Sequence, residues 1–498
     1  MKTWEDGGAP LWAMFDQNPD TDKTNAVYTN VWAPEVVYDK DTKLYYLFFS
    51  ATPKDCDYNL LYVATSQYPN QDFQLVNFSD ASSCGAGNTR VDAAPYTEYF
   101  AKYSLLDPKA YWEKVANKTA NSTTHGYAYS IDPHPFVDTD GTKYLYWTGW
   151  TGNSGYNTSI QGNRIWVVKM ENWLKPDFST AKPILCAGYS QITLNSNKQV
   201  TGGTKNSAAG VGYEADDNGI NEGATVVRRN GKYYLSFSVN KHTDSAYQVG
   251  QAVADSPMGS FRKLTEAEGG LLLSANASGN AAVSGAGHHS FVQVGSHMYI
   301  FYHLHDDPGN PSDLRHGAMD EVKWVRNKDG LEVMYVNGPT TTVQPALEPF
   351  STYGNIANEA NVTFNGSASN INALTDGLLS INKYGNATFA QYIPETTITQ
   401  KTTFQFNFSS LRAVQAVMIY NTKDTNIDKI SNISFVCESQ GREVIYEINN
   451  LQWNDTTVPG SAAIAQFDEL YVKSIKFTVE VPQGSSSAGI SEIRILGK

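Results

Sequence analysis

Three titratable residues, Asp132, Glu222 and His288, stand at the start of apolar segments that follow one repeated pattern, and Ala33 starts a fourth segment. Two carboxyl groups and an imidazole brought together can transfer protons, because one group donates while another accepts. Each residue alone has an ordinary explanation: Asp132 can cap a turn, Glu222 can pair with a lysine, and His288 can be a satisfied core histidine. Three such residues at the same phase of one repeat favour a shared site.

The repeat is a β-hairpin rich in aromatic residues. Each copy has an apolar strand, a short turn and an aromatic second strand, and the turns include Asp140-Gly141 and Asn230-Gly231. These dipeptides are strong hairpin signals because their residues tolerate positive φ. The copies occupy residues 33–50, 132–147, 222–238 and 288–303, with further short strand patterns between them. Four strands per repeat are typical of β-propeller blades.

The propeller pattern predicts where the repeated strands converge. In such a fold the innermost strand of each blade begins near the central axis, so equivalent residues from different blades face one pocket. We therefore expect Ala33, Asp132, Glu222 and His288 to surround a central pocket in an all-β fold.

Composition and charge exclude several classes of partner. The 498 residues contain 37 Lys and Arg against 50 Asp and Glu, a net charge of −13, which is the wrong sign for nucleic acid or an anionic membrane. No apolar run is long enough to span a membrane as a helix.

Eleven Asn-x-Ser/Thr sequons suit a secreted glycoprotein. The four cysteines have no zinc spacing; Cys56 and Cys84 either pair as a disulfide or remain thiols.

The motifs of residues 1–349 resemble those of glycoside hydrolase family 43, five-bladed β-propellers that remove arabinofuranose, xylose and sometimes galactose units from plant polysaccharides. The resemblance is carried by Val-Trp-Ala-Pro-Glu at 31–35, Ile-Asp-Pro-His-Pro-Phe-Val-Asp at 131–138, Asn-Glu-Gly-Ala at 221–224, Gly-Ala-Gly-His at 285–288, and Arg315 ahead of Trp324. It implies a secreted hydrolase that acts on glycans containing arabinose or xylose.

The resemblance also implies roles for individual residues. Glu222 matches the general acid of the family, and Asp132 matches the carboxylate that raises the pKa of that acid and orients it. The chemistry agrees, because glycoside hydrolysis needs a protonated acid beside the leaving oxygen, and an adjacent negative charge keeps that acid protonated. It also needs an ionised carboxylate on the opposite face, and the acid and base of an inverting enzyme stand about 6.5–9.5 Å apart. His288 matches an axial histidine that often helps to hold hydrated Ca²⁺, although calcium prefers oxygen ligands.

Three further residues are candidates for substrate binding. Trp32 and Trp150 could stack on a sugar ring, since an aromatic face complements the apolar face of a sugar. Ordinary packing within a blade explains Trp150 equally well. Arg315 could donate hydrogen bonds to sugar hydroxyls, or it could form a surface salt bridge.

The base of the family is an aspartate at the start of the first inner strand, upstream of the Trp-Ala-Pro motif. Only 31 residues precede Trp32, and residues 1–8 resemble the outer end of a first blade. We therefore expect the chain to begin inside that blade, without the base or a signal peptide, and to hydrolyse glycosides feebly. Asp16, Asp20 and Asp22 lie in an Asn/Pro/Asp-rich loop and are expected to be solvated.

The pattern changes after residue 350. An apolar run at 416–420 and the alternation of Ile475, Phe477 and Val479 predict a β-sandwich (jelly roll) over residues 351–498. This region resembles a discoidin-type domain, a fold that several carbohydrate-binding modules use. We expect residues 1–350 to form the propeller, with an incomplete first blade.

Two functions from different classes fit these observations. The first is an inverting, exo-acting glycosidase, either an α-L-arabinofuranosidase or a β-xylosidase. The second is a non-catalytic carbohydrate-binding propeller, since the expected base is absent. Fructan-cleaving propellers of families 32 and 68 are disfavoured, because their Arg-Asp-Pro and Glu-Cys motifs are replaced by Ile131-Asp132-Pro133 and Glu222-Gly223.

Overall fold

The computed structural model describes most of the chain from residue 28 onwards. The described residues are 28–53, 59–84, 105–106, 130–150, 163–217, 219–278, 282–312, 314–347, 351–381, 393–422, 427–453 and 460–498. Their secondary structure is nearly all β-strand; the α-helices are single turns at Ala81–Cys84, Asn206–Ala209 and Ala275–Ser278. Within these ranges no helix is long and apolar enough to cross a membrane.

The chain divides into two compact units. The first unit comprises residues 3–241 and 249–265, and the second comprises residues 1–2, 242–248 and 266–498.

The first unit contains three antiparallel sheets whose strands neighbour one another in chain order. The first sheet has β1 (Tyr28–Asp39), β2 (Leu44–Pro53), β3 (Leu60–Ser66) and β4 (Gln74–Leu75). The second has β5 (Ser130–Val137), β6 (Lys143–Trp150), β7 (Asn163–Asn172), β8 (Lys175–Cys186), β9 (Tyr189–Leu194) and β10 (Val200–Lys205). The third has β11 (Asn221–Arg229), β12 (Lys232–Val239), β13 (Gln248–Ala254) and β14 (Arg262–Lys263).

The second unit contains a fourth sheet of the same kind. After the short strand β15 (Leu271–Leu273), it has β16 (Gly287–Val294), β17 (His297–His305), β18 (Arg315–Arg326) and β19 (Glu332–Val336). Successive antiparallel meanders are the strand arrangement of β-propeller blades, which usually have four strands each, and the second sheet has two more. The four hairpins predicted from the sequence are confirmed as β1–β2, β5–β6, β11–β12 and β16–β17. The fifth blade stays a prediction, since residues 1–27 lie outside the described ranges.

The first strand of each hairpin carries a β-bulge at the same place. In β5 the pairs Ile131–Thr148 and His134–Tyr146 leave Asp132 and Pro133 opposite a single residue. Equivalent register shifts follow Trp32 in β1, Glu222 in β11 and Gly287 in β16. The first bulged residue has positive φ in every strand, at Ala33, Asp132, Gly223 and His288. A bulge turns the strand and redirects its side chains, and such features are common beside active sites.

The bulges correct one sequence-based alignment. Glu222 was expected to share the phase of Asp132, but the residue equivalent to Asp132 is Gly223, with φ of 62° against 56° for Asp132. Glu222 is instead the last paired residue before the bulge and lies opposite Ser238. Glu222 therefore lies one position earlier along its strand than the other starting residues.

The C-terminal strands form one hydrogen-bonded network of nine strands. They are β20 (Gly354–Asn355), β21 (Asn361–Asn365), β22 (Ala368–Ser369), β23 (Thr396–Ile398), β24 (Thr402–Asn421), β25 (Lys429–Ser439), β26 (Arg442–Leu451), β27 (Ala462–Glu480) and β28 (Ala488–Gly497). The predicted alternation holds, because Ile475, Phe477 and Val479 are fully buried in one core.

Polar contacts join the segment between β22 and β23 to the fourth sheet within the second unit. The Asn337 side chain, just after β19, donates to the Gly377 carbonyl at 2.8 Å and accepts from the Leu379 amide at 2.9 Å. The Tyr335 hydroxyl of β19 donates to the Leu379 carbonyl. The residues on either side of position 350 are thus connected by bonds between buried groups, not by the chain alone.

Candidate functional site

Asp132 and the peptide that follows Glu222 are joined by a direct hydrogen bond. The Gly223 amide donates to Asp132 Oδ2 at 3.0 Å, and this contact links β11 to β5. Asp132 is only 5% exposed, whereas Glu222 is half-buried. One oxygen of the Asp132 carboxylate is therefore held against the backbone that carries Glu222.

Gly223 adopts a backbone conformation that glycine favours. A φ of 62° lies in the left-handed region, which a residue without Cβ adopts at little cost. Asp132 and Ala33 adopt the same region with side chains, which is uncommon and is found most often where function requires it. The bulges thus place strained backbone where the sequence predicted the site.

His134 connects all three sheets of the first unit. Its Nδ1 lies 2.7 and 2.9 Å from the two carboxylate oxygens of Glu35 in β1. Its Nε2 lies 3.0 Å from the Val226 amide nitrogen of β11. Glu35 and His134 occupy equivalent positions, since each directly follows the bulge of its strand.

The fourth sheet, in the second unit, supplies a cluster of basic side chains. Arg315 Nη1 lies 3.2 Å from Nε2 of His303, and the His303 ring stacks on Tyr247 with centroids 5.4 Å apart. The pKa of His303 falls to about 3 because burial disfavours the charged ring, with smaller contributions from Arg315 and His288. His303 is therefore neutral, and its Nε2 accepts the hydrogen bond from Arg315.

Two side chains beside His288 bear on the predicted calcium site. His303 and Arg315, which act electrostatically on one another beside His288, offer a nitrogen donor and a positive charge, whereas Ca²⁺ prefers six to eight oxygen ligands. Among the described residues, no three His, Cys, Asp or Glu side chains come together as a metal site. Hydrated calcium at His288 stays a prediction.

The predicted aromatic contacts differ in how far the structure describes them. Trp32 is 46% exposed, and its carbonyl accepts a hydrogen bond from the Ser50 hydroxyl at 3.1 Å. Trp150 is the last residue of β6, and its side chain lies outside the described part. Arg315 is exposed at the start of β18 and contacts a histidine, in addition to any role with substrate.

Several predictions fall outside the described residues. These are the resemblance of residues 1–8 to a blade end, the solvated state of Asp16, Asp20 and Asp22, and the pairing of Cys56. Cys84 is buried, with its Sγ 3.2 Å from the Asp80 carbonyl oxygen. The disulfide stays a prediction.

Sequence reasoning missed three residues that the structure places in these clusters: Glu35, His134 and His303. Glu35 and His134 were noted only as parts of their motifs, and His303 only as the end of a strand. A signal was available for the first two, because an acidic and a basic residue occupy the third position of successive repeat copies. The bond from His134 to a backbone amide leaves no trace in the sequence.

The comparisons with known proteins agree with the sequence motifs over part of the chain. Residues 106–331 match the family model described as "Glycosyl hydrolases family 43". That segment includes Asp132, Glu222, His288 and Arg315, but not Trp32.

Two curated proteins and one crystal structure illustrate the similarity. The chain is 28% identical over 239 residues to "Beta-D-galactofuranosidase xynD" of Aspergillus niger, covering 48% of this chain and 54% of that protein. It is 28% identical over 211 residues to "Xylosidase/arabinosidase 43A" of Humicola insolens, covering 41% and 58%. A crystal structure of a thermostable family-43 glycoside hydrolase shares 25% identity and a TM-score of 0.44, covering 64% of this chain and 77% of that one. The chain thus spans little more than half the length of either curated relative.

Proposed function

We propose that this chain, whose residues 106–331 match the model of glycosyl hydrolase family 43, is an inverting, exo-acting glycoside hydrolase in which Glu222 is the general acid. The observation that supports the proposal most is the hydrogen bond from the Gly223 amide to Asp132 Oδ2. It brings a buried carboxylate against the peptide next to a half-buried glutamate. A negative charge beside a general acid raises the pKa of that acid and keeps it protonated for transfer to the glycosidic oxygen.

The proposed reaction is a single displacement. Glu222 donates its proton to the glycosidic oxygen as the bond from that oxygen to the anomeric carbon breaks. A water molecule attacks the opposite face of the sugar and loses a proton to a carboxylate base, so the product has inverted configuration. Asp132 orients Glu222 and does not itself receive a proton. The base has no assignment among the described residues, and Asp16, Asp20 and Asp22 lie outside them.

The proposed substrates are glycans that end in arabinofuranose or xylose. One curated relative is named for xylose and arabinose and the other for galactofuranose, so the two names together support a pentose or a furanose as the terminal sugar. Trp32 offers an exposed aromatic face on which a sugar ring can stack.

We also propose that residues 351–498 form a discoidin-like β-sandwich. In support, the first half of β24 pairs with β21, whereas its second half pairs with β28, so the long strand takes part in two sets of pairings. Trp453 packs in the core of these strands and is 9% exposed, which excludes it as an open stacking platform for sugar.

The test is a screen of aryl glycosides of arabinofuranose, xylose and galactofuranose. We expect hydrolysis of a furanoside or xyloside, a product of inverted anomeric configuration by proton NMR in the first minutes, and loss of that activity in Glu222→Gln. Sugar binding without hydrolysis would favour the non-catalytic carbohydrate-binding propeller. A product of retained configuration would overturn the single displacement.

A further inference from the structure

We propose that His134 is a positioning residue that holds Asp132 and Glu222 in register across three sheets; this inference rests on the proposed function of these two carboxyl groups. His134 is 6% exposed, and both of its ring nitrogens have partners in other sheets. It therefore acts on the carboxyl groups through the backbone and not on a sugar.

The hydrogen bonds define the state of the ring. A backbone amide can only donate, so Nε2, 3.0 Å from the Val226 nitrogen, must carry a lone pair. The ring proton then resides on Nδ1, which donates to Glu35 at 2.7 Å. A neutral imidazole meets both requirements at once, because one nitrogen donates while the other accepts.

The bond to Val226 is a second hydrogen bond from a β11 amide to a β5 side chain. Asp132 accepts from the Gly223 amide, and His134 accepts from the Val226 amide, so each contact uses a β5 side chain and a β11 amide. Glu222 immediately precedes the first of these amides. The two bonds lie at either end of the β11 bulge, where pairing with β12 is interrupted, and so they fix the direction of the strand at Glu222.

Glu35 anchors the ring from the other side. Its carboxylate accepts from Nδ1 through both oxygens and so excludes the alternative tautomer, in which Nε2 would carry the proton and repel the Val226 amide. The ring also packs against Tyr146, with centroids 5.9 Å apart. Glu35 therefore orients the His134 ring, and the ring in turn holds the β11 backbone.

The direct test compares His134→Phe with Tyr233→Phe. His134→Phe keeps a planar ring but removes both hydrogen bonds. Tyr233 is the matched control, since its hydroxyl donates to Asp138 Oδ2 at 2.5 Å and joins the same two sheets near the opposite end of β5.

A displacement of about 1 Å at a reacting group costs about 100-fold in rate. We expect His134→Phe to lower kcat by about 10- to 100-fold, with KM changed less than threefold, and the loss to be larger for aryl glycosides with poor leaving groups. Tyr233→Phe should lower stability without this pattern.

A second readout does not depend on activity. Nitrogen-15 NMR of the imidazole should show Nδ1 protonated and Nε2 bare, and amide exchange at Gly223 and Val226 should accelerate in His134→Phe but not in Tyr233→Phe. Glu35→Ala, at a side chain that is 31% exposed, provides a variant that should fold even if His134→Phe does not, and it should accelerate the same two amides.

These readouts separate the two proposals. If the protein hydrolyses no glycoside, the proposed function fails and the NMR and exchange results still decide the positioning role. A ring protonated on Nε2, or unchanged exchange at Gly223 in both His134→Phe and Glu35→Ala, would overturn it. Equal kinetic losses in His134→Phe and Tyr233→Phe would show a general effect on folding and would also overturn it.

Discussion

Replacing Asp320 with asparagine should remove a pH dependence from the stability of the second unit. Asp320 in β18 is 3% exposed; its Oδ2 accepts from the Tyr302 hydroxyl at 2.6 Å and from the Thr340 amide at 3.1 Å, and its Oδ1 accepts from the Thr340 hydroxyl. Burial nevertheless raises the pKa of this carboxyl from 3.8 to about 7, because desolvation outweighs the hydrogen bonds.

The sign follows from proton binding. Between pH 3.8 and about 7 the folded protein holds a proton on Asp320 that the unfolded chain does not hold, so rising pH favours unfolding. The stabilisation is complete below the unfolded pKa and is lost as pH rises through the folded pKa. About three pH units at about 1.4 kcal/mol each correspond to about 4 kcal/mol.

The assay is urea unfolding of the natural protein and Asp320→Asn from pH 4 to pH 8. The pKa of the nearby Asp376 is raised to about 6 and that of Glu321 is lowered to about 2, but both groups are present in both proteins and cancel in the difference. We expect the natural protein to lose about 4 kcal/mol relative to the variant over this range. A difference in unfolding free energy that stays constant with pH would refute the reasoning.

Two further predictions concern buried groups in the first unit. Lys263→Met leaves the Glu214 carboxylate buried without its partner at 2.5 Å, and the free energy of unfolding in urea should fall by about 3–5 kcal/mol. Adding Glu214→Gln removes the buried charge and should recover most of that loss. If the double variant recovers nothing, the explanation is contradicted. Gly188→Ala places a Cβ 2.1 Å from the Asp216 carbonyl oxygen, whereas Gly231→Ala, at the same φ of 78°, meets nothing within 4 Å. The melting temperature should therefore fall much further for Gly188→Ala, and equal shifts would assign the effect to φ alone.

The sequence was informative where the hydrophobic pattern is local. The turns Asp140-Gly141 and Asn230-Gly231 and the apolar strands around them predicted the hairpins that the structure contains. Apolar residues at every second position, such as Ile475 and Phe477, likewise identified a strand that buries one face. These features depend on the properties of a few consecutive residues, which a sequence displays directly.

The details of the site depend on contacts that a pattern does not show. The alignment of Glu222 with Asp132 was wrong because the bulge in β11 begins at a glycine and not at the glutamate. The apolar pair Val226-Val227, which is equivalent to Pro135-Phe136, would have given the correct alignment of the two repeats. The Val226 amide that donates to His134 belongs to another sheet. Nearly every residue has such an amide, so the residue types do not reveal this partner. The side-chain types were therefore visible, but their partners were not.

The hydrolysis of glycosides by Glu222→Gln most directly tests whether this residue protonates the leaving group. The measurement is kcat/KM on a series of aryl glycosides whose leaving groups range from poor to good, for the natural protein, Glu222→Gln and the exposed control Glu171→Gln. Glu222→Gln should lose about 10²- to 10⁴-fold on poor leaving groups and much less on good ones, because a good leaving group departs without a proton. Glu171→Gln should match the natural protein throughout. An equal loss by Glu222→Gln across the series would contradict its role as the general acid.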